Sequence, residues 1–347
     1  MVVGTRVMHR HNVVIRDPSS LEALGGVTNI CSDKTGTLTQ GAMIVKKVWI
    51  PKVGIYTVQG SQDPNDPTQG SVTKGALSRP ESSRNDEKVD YDQQRSAASL
   101  KFDIPAEKAV KDLQASKRDA NEEDAVITPE LEEFLQPAAL CNLATVKEEQ
   151  TEGEGVHKWQ TTGEPTEIAL QVFACRFNRG KRHLESKGWK QVGEFPFDST
   201  IKRMSVVYNF PDEKQSMVFT KGAVERILDL CSFIGTGPHN QQLTDALKID
   251  VINQMDEFAA MGQRVLAIAK RKWHGDFTAE ERRSNDEELR SDVEKDLTLV
   301  GLVGIYDPPR EETRQAIREC SEAGITVHML TVSESIPILH PPCSHDL

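Results

Sequence analysis

The chain has 347 residues and a formal net charge of −11, from 53 acidic and 42 basic side chains. That length suggests about two globular domains and is enough for a sizeable core. The acidic balance argues against nucleic acid or an anionic membrane surface as the main partner, because either favours a basic face.

Six scattered cysteines (Cys31, Cys141, Cys175, Cys231, Cys320, Cys343) include no Cys-x-x-Cys pair. They read as reduced thiols rather than a disulfide framework or a zinc site. At the N-terminus the apolar run is broken by Arg6 and His9, which makes a poor secretory leader. The longest strongly apolar run, Leu299 to Tyr306, is far short of the ~20 residues that span a bilayer. No transmembrane helix is expected.

In chain order, Pro18-Ser19-Ser20 precedes Leu21 to Leu24, a short helix with Ser19 or Ser20 as N-cap and Gly25-Gly26 as its stop. Val27 to Cys31 reads as a buried strand running into Asp33-Lys34-Thr35-Gly36-Thr37-Leu38-Thr39. A carboxylate at a strand end can attack a phosphoryl group and hold it as an acyl phosphate. The residues after it supply a cation, hydroxyls and open backbone N–H groups for a phosphate. Taken as a lone Asp-Lys pair, the same segment is only a strand ending in a polar turn.

From Ser61 to about Val126 the composition shifts to Ser, Asp, Asn, Pro, Lys and Glu. Little there can bury apolar surface, so 61–126 is expected to be a mostly disordered surface excursion, with Glu81 to Lys88 a solvated loop. Order resumes at Thr128-Pro129-Glu130, an N-cap, an N1 proline and a first-turn acid. Leu131, Phe134, Leu135 and Ala138 follow at helical spacing, with Pro137 a kink and Cys141 in the core. Glu148 to Gly155 reads as a polar loop.

Gly163-Glu164-Pro165-Thr166-Glu167 opens the next helix. An acid there is, by itself, a favourable partner for the helix dipole. Glu194 to Val206 leads into a strand. Aromatics beside strands are usually core, the reading for Phe195 and, taken alone, for Phe197 as well; an exposed one could stack on a purine. Lys202, five residues on, can then reach the phosphates. Lys221-Gly222 lies at a strand end before Val224 to Cys231, and its glycine lets a ligand approach the backbone. Arg264 adds a basic residue at a later strand start. Leu297 to Ile305 is β-like, Thr313 to Glu322 helical, and Thr326 to Leu330 a buried strand. This βαβ order fits a Rossmann-like parallel sheet.

The heptad at Asp33 resembles the phosphorylation signature of P-type ATPases. With Asn12 to Ser32 before it and Gln40-Gly41 and Val48 to Pro51 after it, the chain most resembles the fungal sodium/potassium-exporting subgroup. Four further elements resemble that family in order: Gly163 to Glu167, Phe197 to Ser205, Lys221-Gly222-Ala223 and Met261 to Ala267. Asp307-Pro308-Pro309-Arg310 resembles the hinge that returns to the phosphorylation domain.

The resemblance implies an α/β fold, with an incomplete Rossmann-like phosphorylation domain of haloacid-dehalogenase type. Its two pieces would be residues 1–45 and 299–331, interrupted by an α+β nucleotide-binding domain at 46–298. Residues 332–347 form a tail unlike the family. Glu167, Phe197, Lys202, Lys221, Gly222 and Arg264, with Asp307 and Arg310, are the matched ATP-binding positions. Asp33 is the matched nucleophile, Lys34, Thr35, Thr37 and Thr331 complete the catalytic set, and Asp33 with the Thr35 carbonyl would hold Mg²⁺.

After Thr331 the family continues with Gly-Asp, where this chain has Val332-Ser333. It also carries neither the later Gly-Asp-Gly-x-Asn-Asp element, nor the later phosphate-site lysine, nor a Thr-Gly-Glu-Ser loop, nor membrane helices. The chain alone is therefore expected to bind ATP weakly, without efficient turnover or transport. Its parent would be a plasma-membrane pump for a monovalent cation, sodium by the flanking resemblance, with calcium the other possibility. Two other classes remain open: a non-catalytic ATP-binding fragment, and a soluble dehalogenase-type phosphohydrolase. Thr35 disfavours the latter, since those enzymes need a second aspartate at that position. In the tail, His340, Cys343 and His345 could bind a metal, but an out-of-frame exon, a retained intron or a mis-called gene model is the simpler account.

Overall fold

The computed structural model describes residues 2–10, 14, 23, 25–75, 123–150, 157–210, 215–275 and 287–330. Most of the Leu21–Leu24 helix with its serine caps, the Glu81–Lys88 loop, Thr331 and the 332–347 tail lie outside these residues. Two units are distinguished: Met1–Ala42 with Asp307–Leu347, and Met43–Tyr306. The first begins with helix α1 (Val2–Arg10) and strand β1 (Asn29–Asp33).

The second unit is built on valine- and isoleucine-rich strands. β2 (Ile44–Ile50) and β3 (Gly54–Gln59) form a hairpin, followed by β4 (Ser71–Gly75) and the short β5 (Glu123–Asp124). Helix α2 (Pro129–Leu140) starts as its sequence dictates, with Thr128 Oγ1 accepting the Leu131 N–H and proline in the first turn. β6 (Thr145–Gln150) and β7 (His157–Thr162) form a separate hairpin. Helices α3 (Pro165–Arg176) and α4 (Lys181–Ser186) then lead to β8 (Lys190–Asp198), β9 (Arg203–Asn209) and β10 (Ser216–Gly222). After α5 (Val224–Leu228) come β11 (Cys231–Ile234), β12 (Gln241–Gln242), α6 (Asp245–Ala260) and β13 (Arg264–Trp273). Helix α7 (Glu287–Val293) and β14 (Leu297–Tyr306) complete the unit.

Eleven of these strands make one sheet in the order β5-β4-β3-β2-β14-β13-β10-β9-β8, with β11 on β14 and β12 on β11. Strand β14 sits mid-sheet and is covered on both faces, which is why it reads as an unbroken apolar run. Its Gly301 is required: a Cβ there would lie 2.4 Å from the Trp49 carbonyl and 3.2 Å from the Phe134 ring. On one face α2 and α3 pack Phe134, Leu135, Leu170 and Phe173 against Val48 and Ile50. On the other, α5 and α6 bring Ile227 and Phe258 onto Trp49 and Leu299. A third, smaller cluster joins Phe195, Val207, Val218 and Trp273 to Val293 of α7.

The chain returns to the first unit through α8 (Glu311–Glu322) and β15 (Thr326–Leu330), which pairs parallel with β1. No helix among the described residues is long and apolar enough to cross a membrane.

Three sequence expectations are corrected. Leu297–Tyr306 does not lead a βαβ unit with β15. It pairs antiparallel with β13 and β2, so the second unit extends to Tyr306 rather than ending at residue 298. Apolar periodicity identifies a buried strand but not the sheet that buries it. Secondly, the Glu148–Gly155 stretch is in part strand, because β6 pairs with β7 in a two-stranded ladder whose consecutive exposed residues Lys147, Glu148 and Glu149 need no core to satisfy the backbone.

Thirdly, the 61–126 excursion is ordered at both described ends. Asp63 and Asp66 accept the Asn65 and Thr68 N–H groups, and the Gln69 side chain accepts those of Gln62 and Asp63. Arg176 of α3 grips Ser61 Oγ and the Gln69 carbonyl. Composition counts apolar surface and misses such polar closure.

Candidate active and nucleotide-binding sites

Asp33 ends β1, exposed, at the mouth of a loop that backbone and side-chain bonds hold closed. Gly36 has φ 79°, a left-handed conformation that glycine adopts without strain. The Thr39 N–H donates to the Lys34 carbonyl at 3.1 Å, and the Gly36 N–H donates to Thr39 Oγ1 at 3.2 Å. Asp307 engages both carboxylate oxygens: Oδ2 accepts from Thr39 Oγ1 at 2.6 Å and Oδ1 from the Gly41 N–H at 3.1 Å. The Arg310 guanidinium donates to the Gly36 carbonyl at 2.7 Å, and Thr313 Oγ1 to that of Leu38 at 2.7 Å.

Asp307 and Arg310, matched to nucleotide-binding positions, thus clamp the Asp33 loop in this structure. Lys34, Thr35 and Thr37 are exposed along it. The Asp33 carboxylate and the Thr35 carbonyl are hard oxygen donors, a set that suits Mg²⁺ completed by phosphate and water. Among the described residues, no cluster of three or more His, Cys, Asp or Glu suggests an all-protein metal cage.

In the second unit the matched nucleotide positions meet at one end of the sheet. Asp198 is opposite Arg203, Arg203 opposite Gly222, and Gly222 opposite Ala267, three residues past Arg264. Between β8 and β9 the turn is tight. Asp198 Oδ1 accepts the Thr200 N–H at 2.7 Å and its carbonyl accepts that of Lys202 at 2.7 Å. The Thr200 N–H holds the Asp198 carboxyl below the usual carboxylate range. Lys202 itself has φ 53°, a left-handed conformation that costs a non-glycine residue about 1–2 kcal/mol. Phe197 precedes this turn with 61% of its surface exposed, whereas Phe195 on the same strand is buried.

Gly222 packs directly behind the turn, where a Cβ would meet the Lys202 carbonyl at 2.5 Å and Arg203 Cβ at 2.7 Å. Beside it, Lys221 and Glu167 are only 7% and 8% exposed, and they pair at 2.6 Å. The other Glu167 oxygen accepts the Leu143 N–H at 3.2 Å. The structure therefore brings Glu167, Lys221, Gly222, Lys202 and Phe197 to one sheet end, with exposed Arg264 on the adjoining strand.

Sequence reading missed Asn142. Its amide donates to the Glu167 carbonyl at 2.9 Å and to that of Ala138 at 3.3 Å, while its oxygen accepts the Ala144 N–H. A lone amide closing the run Ala138 to Cys141 was the available signal. Cys141, next to it, is fully buried, and desolvation pushes its thiol up to about 12; burial does the same at Cys231. At about pH 8, iodoacetamide is expected to label exposed Cys31 and to leave Cys141 and Cys231 unmodified until the protein is denatured. Peptide mapping of the alkylated protein checks this.

A sequence profile of the P-type ATPase cytoplasmic domain N matches residues 130–312. The chain is 42% identical over 334 residues to the sodium/potassium-exporting P-type ATPase cta3 of Schizosaccharomyces pombe, covering 95% of this chain and 28% of that protein. It is 35% identical over 359 residues to the sodium/potassium-exporting P-type ATPase 1 of Saccharomyces cerevisiae, covering 95% and 31%. Calcium-transporting ATPase 1 of Bacillus cereus is 30% identical over 331 residues, covering 95% and 28%. The chain spans less than a third of the length of these relatives. The mixed α/β body with one large sheet is consistent with such a domain. This chain belongs to the P-type ATPases, and residues 130–312 carry their cytoplasmic domain N.

Proposed function

We propose that this chain binds ATP at the sheet end formed by β8, β9, β10 and β13, and that Asp33 is the phosphoryl acceptor of a cation-exporting P-type ATPase. The observation that carries the binding site is the row Asp198, Arg203, Gly222, Ala267 running across four strands, flanked by the buried Lys221–Glu167 pair. Phe197 offers an open aromatic face for the adenine, and Glu167 and Lys221 form the floor beside it. Lys202 and Arg264 supply positive charge for the phosphates. Gly222 lets the β8–β9 turn that carries Lys202 pack directly against β10.

The Met1–Ala42 and Asp307–Leu347 unit is the phosphorylation domain in this reading, of haloacid-dehalogenase type. An Asp33 carboxylate oxygen would attack the γ-phosphorus while the bond to ADP breaks, leaving an acyl phosphate and ADP. Thr37 would donate to the phosphoryl oxygens and Lys34 would offset their charge, as would Mg²⁺ when held by Asp33 and the Thr35 carbonyl. Asp307 and Arg310 keep the loop in shape for this. The names of the relatives favour sodium or potassium as the exported ion, with calcium second.

Calorimetric titration of the full chain with ATP and Mg²⁺ tests the binding site. One saturable site is expected, and Phe197→Ala should weaken it roughly 5- to 100-fold, the worth of one base–aromatic stack. A folded wild-type chain that takes up no ATP at millimolar concentration would sink the proposal. Acid quenching after exposure to γ-labelled ATP, with a hydroxylamine challenge and Asp33→Asn as control, tests the acceptor. Stable label persisting in that variant would remove Asp33 from the role.

A further inference from the structure

We propose that Glu294 is a positioning residue for the nucleotide turn, acting through Arg203 and Arg290 from the reverse face of the sheet. This rests on the ATP-site reading above. Glu294 joins α7 to β14 and is 0% exposed. Its Oε2 accepts from Arg203 Nε at 2.5 Å, and its Oε1 accepts from Ser205 Oγ at 2.6 Å and Arg290 Nε at 2.9 Å. Ser205 Oγ is in turn 2.9 Å from Thr220 Oγ1. A buried carboxylate is tolerated only when paired and hydrogen-bonded this fully.

The network grips the neighbours of the nucleotide residues. Arg203 follows Lys202, and Thr220 precedes Lys221. Arg290 also donates to the Arg203 carbonyl at 3.0 Å and to that of Pro196, which precedes Phe197, at 3.5 Å. Its guanidinium lies 5.8 Å from the Phe195 ring centroid. Adjacent residues of a strand face opposite ways. Ser205 and Thr220 are a register pair on one face, while Met204 and Lys221 are a pair on the other, with Glu167. The turn is thus held from behind on β8, β9 and β10 together, which accounts for how Lys202 keeps its left-handed backbone. A cavity of about 310 Å³, lined by Asp198, Ile201, Arg203, Glu287, Arg290 and Ser291, adjoins the network. It gives the arginines space to relax into once Glu294 loses its charge.

The test uses the full chain with Glu294→Gln, which keeps the shape and removes the charge, and Arg290→Lys, which keeps a cation but loses the fork onto the two carbonyls. Each variant is first shown to melt cooperatively; should Glu294→Gln fail to fold, Arg290→Lys decides. Both are expected to weaken ATP binding roughly three- to thirtyfold, to speed amide exchange at Thr200 to Arg203, and to add little in a Phe197→Ala background. A merely structural role would instead lower the melting point with unchanged ATP affinity and additive effects, and would overturn the inference. If the wild type binds no ATP, the ATP-site reading falls and takes the nucleotide role with it. Exchange at the turn then reports separately whether Glu294 holds it.

Discussion

Lys221→Met is expected to destabilise the Met43–Tyr306 unit by about 3–5 kcal/mol, because it leaves Glu167 buried without its counter-charge. Removing one member of a buried pair exposes the full desolvation cost of the other, and the Leu143 N–H alone cannot offset it. The double variant Glu167→Gln, Lys221→Met is expected to recover most of that loss, since neither group is then charged. ATP affinity should stay low in the double variant, because the floor of the site has lost both its acid and its cation. Denaturant midpoints measured beside nucleotide titration separate the two effects. Equal stability of wild type and Lys221→Met would mean that Glu167 finds another partner or takes up a proton.

Phe134→Ala is expected to cost about 3–5 kcal/mol, the usual range for emptying a fully buried aromatic position. The ring meets Phe173 edge-on, with centroids 6.5 Å apart and an interplanar angle of 85°, and covers the gap above Gly301. For a unit of this size the loss corresponds to a fall in Tm of roughly 10 °C, at about 2–4 °C per kcal/mol, readable by thermal melting. Helix α2 ends beside Asn142, whose amide holds the start of α3, so a loosened α2 should also weaken ATP binding.

How much of this was legible beforehand varied with the kind of signal. Thr128-Pro129-Glu130 announced the start of α2, and Leu131, Phe134, Leu135 and Ala138 announced its buried face, because capping and helical spacing are local chemistry. Phe195 as core and Phe197 as open aromatic were separable only through the family resemblance, because positions two apart on a strand share a face; the structure parts them with a register shift between Phe195 and Asp198. The loop after β1 was visible through its glycine and hydroxyls. What holds that loop was only partly visible, since Asp307 and Arg310 lie some 270 positions away, in the step from β14 to α8.

The amino-acid sequence by itself carried the family resemblance, the start and buried face of α2, and the residue types at the proposed ATP and phosphoryl sites. The family rests on the resemblance of the Asp33 heptad and the elements that follow it in order, and the local elements on short-range patterns of charge, glycine and apolar spacing. Only the tertiary structure decided that Leu297–Tyr306 belongs to the large sheet, that Arg176 fastens the polar 61–70 segment, and that Glu294 lies behind the nucleotide turn. Each of those facts is a partnership between groups distant in the chain. A strand's apolar run, an arginine's charge or a glutamate in a charged segment is compatible with many partners until the backbone brings one within 3 Å.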